Sequence, residues 1–178
     1  MRTLSRKEIN RILMKGRMLS SQEVTEILDE FQRNQPDLYA VIYGELSDGL
    51  TKENTDMANL YLDLCFDVIW IYRDTFGKPP KVSSGKNVVM NSLYLLDSEL
   101  KAFFKVTDMD ETLRRSLEKR FFNRIVETGV QIELMRYLQD EVHNYASFKP
   151  DRAIATSLTY CLLFIFVRLM NGLYDKKK

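Results

Sequence analysis

Residues 51–76 read TKENTDMANLYLDLCFDVIWIYRDTF, and this stretch decides the fold class. From Met57 to Tyr72 almost every residue is apolar, and the exceptions are not scattered. At 100° per residue, Asp56, Asp63, Asp67 and Asp74 fall at about 0°, 340°, 20° and 0°, with Asn59 and Trp70 beside them. A strand would alternate instead. The pattern predicts a helix enclosed on most sides that keeps one narrow polar face.

Outward from that helix the chain divides at start and stop signals. Ser5 caps a first helix to about Arg17, and Ser20-Ser-Gln-Glu23 is a capping box opening a second that runs to Asn34. Pro36 suits the first turn of a third, ending near Ser47-Asp48-Gly49. The fourth spans Thr51 to Phe76, and GKPPKVSSGK (77–86) is a loop. A fifth helix runs from about Lys86 to Lys105. Asp108-Met-Asp-Glu111 caps a sixth, whose apolar residues chain at four-residue steps: Leu113, Leu117, Phe121, Ile125 and Phe122, Val126, Val130, Leu134, Leu138, Val142. Gly129 breaks or kinks it, and Pro150-Asp151 opens the last helix, to about Tyr174. The expectation is an all-α, single-domain helical bundle of about seven helices over residues 1–178. Residues 1–18 form a basic N-terminal helix or arm, and the 51–76 and 150–174 helices lie at the centre.

Composition agrees. With 178 residues, 45% of them apolar, a single core suffices without disulfides or a structural metal. Charged residues at 29% with only 7 Gly and 4 Pro exclude disordered and collagen-like classes and argue against an all-β chain. Cys65 and Cys161 sit in apolar runs and read as buried free thiols of a reducing compartment. The charged N-terminus offers no secretory signal, so a cytoplasmic location is expected. One His removes most zinc sites and the paired Glu-x-x-His di-iron bundle.

Charge is unevenly placed. The net +1 hides an arm, residues 1–17, with six basic groups and one acidic, and a block, residues 18–75, with twelve acidic and three basic. Arg2, Arg6, Lys7, Arg11, Lys15 and Arg17 alongside Leu4, Ile9, Ile12 and Leu13 suit a nucleic-acid or anionic-membrane contact, or an acidic partner. They equally suit docking on the acidic 18–75 block of the same chain.

The Asp stripe is the first candidate for chemistry. Like charges at the four-residue step from Asp63 to Asp67 repel, and a divalent cation would relieve that. Glu23 and Glu26, in the order Glu-x-x-Glu followed later by an acidic pair, resemble the all-α nucleotide pyrophosphatases. LDLCFDVIWIY (62–72) is similar to their second motif, an acidic residue shortly before Asp-apolar-apolar-aromatic. The usual Glu-x-x-Asp is Asp-x-x-x-Asp here. The resemblance implies Mg²⁺ held by Asp63 and Asp67 with Glu23 and Glu26 opposite, and hydrolysis of a nucleotide or phosphate ester.

His143 follows Arg136 in RYLQDEVH. This resembles the sparse Arg and His signature of HEPN-type helical ribonucleases, which implies action on a ribose 2′-hydroxyl and phosphate. The other reading of His143 is a surface imidazole near a helix C-terminus. Residues 153–174 include fifteen without a charge, from Ala153 to Val167, and fit either the core or interface helix of a bundle or a membrane anchor. No nucleophile with its base and no cofactor loop stands out. The first reading of function is therefore a non-enzymatic helical protein-interaction or regulatory module that self-associates and holds no cofactor. The Mg²⁺-dependent hydrolase and the nucleic-acid-processing protein are the alternatives.

Overall fold

The computed structural model describes residues 1–81, 110–127, 131–146 and 152–175, together with Asn91, Tyr94 and Ser98. The protein is all-α. Among the described residues seven helices follow one another: α1 (Arg6–Gly16), α2 (Ser21–Asn34), α3 (Pro36–Ala40, running on through the π-helical Val41–Leu46 into Ser47–Glu53), α4 (Thr55–Phe76), α5 (Glu111–Glu127), α6 (Ile132–Ala146) and α7 (Ala153–Asp175).

The helix starts follow from local hydrogen bonding. Ser5 and Ser20 each accept from a first-turn backbone N–H, while Glu8 and Glu23 reach back to the cap, so both boxes are complete. Asp110 accepts from the N–H groups of Thr112 and Leu113 at 3.0 and 3.1 Å and opens α5. Gly77, at φ 85°, ends α4 in a conformation that side chains rarely adopt.

Several boundaries differ from the sequence expectation. The third helix does not stop near Gly49, because Ser47 and its neighbours keep helical dihedrals through the π segment. The break comes at Asn54, extended at φ −164° and ψ 114°, whose side chain caps the N–H of Met57 at 3.0 Å. The central helix therefore begins at Thr55, not Thr51. The long apolar chain from 113 to 142 is two helices, α5 and α6, separated before Ile132. The last helix begins at Ala153, and Pro150 and Asp151 lie outside the described residues. Of the expected 86–105 helix, Asn91, Tyr94 and Ser98 are helical, and the remainder lies outside the described residues.

Packing places α4 and α7 side by side and parallel. Arg152 pairs with Asp56 at one end, and near the other the Tyr72 hydroxyl donates to Asn171 Oδ1 and the Tyr174 hydroxyl donates to the Gly77 carbonyl. Tyr61, Val68, Ile71 and Tyr72 of α4 and Phe166, Val167 and Met170 of α7 are fully buried in one continuous cluster. Each such side chain contributes roughly 1.5–3 kcal/mol by leaving water. Helix α6 runs antiparallel to α7 and adds Leu134, Leu138 and Val142.

On another side α1 crosses α4. The indole N–H of Trp70 donates to the Ile12 carbonyl at 2.9 Å, and Ile9, Ile12 and Leu13 are buried beneath. Helix α2 closes the C-terminal end of α4, where Arg73 bonds Glu30 at 2.8 Å. Buried Gln131, just ahead of α6, ties the chain's first residues to the core. Its Oε1 accepts from the Leu4 N–H and its Nε2 donates to the Arg2 carbonyl, both at 2.8 Å.

Candidate functional site

The Asp stripe of α4 is where three other parts of the chain come to rest. Asp56 pairs with Arg152, whose guanidinium also lies 4.9 Å over the Tyr145 ring. Asp74 meets Lys15 of α1 at 3.2 Å. Asp67 accepts a 2.6 Å hydrogen bond from the Tyr137 hydroxyl of α6. Burial pushes the Asp67 carboxyl up to about 6, against the lowering effects of the Tyr137 bond and of Arg17, while Glu141 and Asp63 push it further up. Burial also raises the Tyr137 phenol, reinforced by Asp67. Asp63 stays exposed, and partial desolvation raises its carboxyl.

The second helix does not bring its carboxylates to this stripe. Glu23 is spent on its own cap, with Oε2 at 2.8 Å from both the backbone N and the hydroxyl of Ser20, and those bonds hold its carboxyl below the usual range. Glu26 accepts from Gln22 at 3.0 Å on the solvent side. The α2 face that packs inward is Ile27, Glu30 and Phe31, which turns Glu23 and Glu26 outward. Among the described residues no three His, Cys, Asp or Glu side chains gather as a metal-binding group, so Asp63, Asp67, Glu23 and Glu26 are not assembled into a Mg²⁺ site.

Arg136 and His143 are both exposed on α6, two turns apart. Arg136 is engaged with Glu133 at 2.5 Å. His143 instead lines an open groove with Arg6, Gln139, Asp140, Glu141 and Tyr160. The guanidinium in its groove thus belongs to Arg6 of α1, which bonds Asp140 at 2.9 Å and lies 5.5 Å over the Tyr137 ring.

The basic arm is partly satisfied within the chain. Arg2 bonds Glu8 at 2.7 Å, Arg6 and Lys15 pair as above, and Arg17 acts on Asp67. Lys7 and Arg11 are exposed and have no ion pair with any described residue. Two further exposed side chains stand near them, Met14 and Met18.

Helix α7 shows two characters along its length. Its C-terminal half is enclosed, including Arg168 and Asn171. Its first turns expose Ile154 and Leu158, and half-buried Cys161 and Leu162 continue the same side. By length and composition it is apolar enough to cross a membrane, yet only 44% of its most apolar window is covered.

Compared with known proteins, the chain matches no family model, no curated protein and no solved structure. Tyr137, Arg152 and Gln131, which organise the stripe and the arm, carried no signal in the sequence, because each acts on a partner at least 70 residues away.

Proposed function

We propose that the protein is a non-enzymatic helical interaction module that associates with a second copy of itself through the outer ridge of α7. The observation that supports this reading is the pair Ile154 and Leu158, 68% and 39% exposed and one turn apart on an otherwise apolar helix. Covering what remains exposed of these side chains is favourable by roughly 1–2 kcal/mol for Ile154 and about 1 kcal/mol for Leu158. A two-fold contact sets a surface against itself, so it must tolerate its own charge. The stretch from Ala153 to Val167 carries none, whereas α1, where Lys7 and Arg11 have no ion pair among the described residues, would repel its copy. Cys65 and Cys161 are not joined in a disulfide, which fits a reducing, cytoplasmic setting. A span through the same helix would carry Arg168 and Asn171 into lipid, which disfavours the anchor.

Sedimentation velocity over a micromolar concentration series tests the proposal. A dimer that dissociates on dilution is expected, and Ile154→Glu with Leu158→Glu should leave a monomer with unchanged helical circular dichroism. A monomer at every concentration, or a dimer indifferent to both substitutions, would overturn it. So would binding to uncharged vesicles that the same pair abolishes, which would point to a membrane instead.

A further inference from the structure

We propose that the outer face of α1 is a docking surface for an anionic lipid bilayer, separate from the α7 ridge. Three of the six cations in the first 17 residues are held in ion pairs and Arg17 is near enough to Asp67 to lower its carboxyl, whereas Lys7 and Arg11 have no ion pair among the described residues. These two are not randomly placed. On α1, Lys7, Arg11 and Met14 fall within about 60° of one another, and Met18 extends the line in the turn that follows. Met14 is 68% exposed and Met18 86%, so two cations without an ion pair among the described residues and two exposed thioether side chains share one strip roughly 16 Å long.

The opposite face of α1 is fixed. Ile9, Ile12 and Leu13 are buried and Gly16 lies directly against Trp70, so the strip is held outward on a docked helix. A convex ridge with cations beside apolar tips matches a bilayer interface, where the charges meet acidic headgroups and the methionines enter the headgroup and acyl boundary. Single-stranded nucleic acid fits less well, because the strip has no aromatic on which bases could stack. Carboxylates of Glu8, Asp140 and Asp74 pair with Arg2, Arg6 and Lys15 beside the strip and leave its own two cations to a partner.

Flotation of the full chain with phosphatidylcholine vesicles, with and without phosphatidylserine, tests this. Binding should require phosphatidylserine and fall as salt is raised. Each cation near the surface contributes about fivefold, so Lys7→Gln with Arg11→Gln should weaken partitioning about 30-fold. Met14→Ser with Met18→Ser should weaken it further. All four positions are exposed, so melting temperature should not move, and sedimentation behaviour should match that of the unsubstituted chain, which separates this proposal from the α7 contact. Equal binding to phosphatidylcholine alone, no binding at all, or binding untouched by the paired substitutions would sink it. An oligonucleotide held through Lys7 and Arg11 by a chain that ignores vesicles would also reject it, in favour of nucleic acid.

Discussion

Asp67 shows how a single residue passes from sequence to energetics. The four-aspartate spacing is visible in the sequence, and it places Asp67 on a polar stripe, but not beneath Tyr137. Folded, its carboxyl is pushed up to about 6 from an ordinary value of 3.8. A raised value means that protonation favours the fold, so this stabilisation is complete below about pH 4 and is lost as pH rises through about 6. At neutral pH the ionised group therefore costs up to about 3 kcal/mol relative to its protonated form. Asp67→Asn keeps an acceptor for the Tyr137 hydroxyl and removes the charge. It should stabilise the protein by about 1–3 kcal/mol near pH 8, change little near pH 4, and flatten the slope between. Urea unfolding at these two ends decides it, and an Asn variant with the wild-type slope would mean that Asp67 is ionised without penalty.

Among the elements, α1 depends on close contact with α4. A Cβ at Gly16 would stand 2.8 Å from Cδ1 and Nε1 of Trp70, and the indole is held by its bond to the Ile12 carbonyl. Gly16→Ala should therefore destabilise by about 1–2 kcal/mol, since overpacking outweighs the better helix propensity of Ala at this last position. Trp70 is the single tryptophan, so its emission should shift to the red as the contact opens. Unchanged emission with raised stability would show that α1 slides at no cost. The existence of α1 to α4 and of α7, and the caps at Ser5 and Ser20, were legible because apolar period and capping chemistry are local, whereas α5 and α6 read as one helix broken or kinked at Gly129. The π segment in α3 and the break at Asn54 were not. A run of apolar and small residues permits either winding, and packing against α4 selects between them.

At the scale of the whole molecule, the near-neutral total resolves into a pattern of internal pairing and residue. Opposite charges in the arm and the block meet at Lys15 and Asp74, while Arg6 is claimed by Asp140, beyond the block. The first residues are held through Gln131, across a separation of 127 to 129 positions. Gln131→Ala should cost about 1–2 kcal/mol by leaving the buried Leu4 N–H and the part-buried Arg2 carbonyl without their partner, and should speed amide exchange at Leu4 more than at Ile69. Equal protection at Leu4 in both proteins would show that the segment is held by its apolar contacts alone.

The sequence by itself determined that the chain is helical, where most helices begin, and that α4 is mostly enclosed, since these follow from period, capping and composition within a few turns. It also placed the charges. Only the tertiary structure decided which charges cancel, that Glu23 and Glu26 turn away from the aspartate stripe, and which apolar and cationic side chains stay uncovered. Those outcomes depend on how helices far apart in the chain lie against each other. Side-chain pairing acts over a few ångströms, and which groups come that close is set by the packing of the whole core.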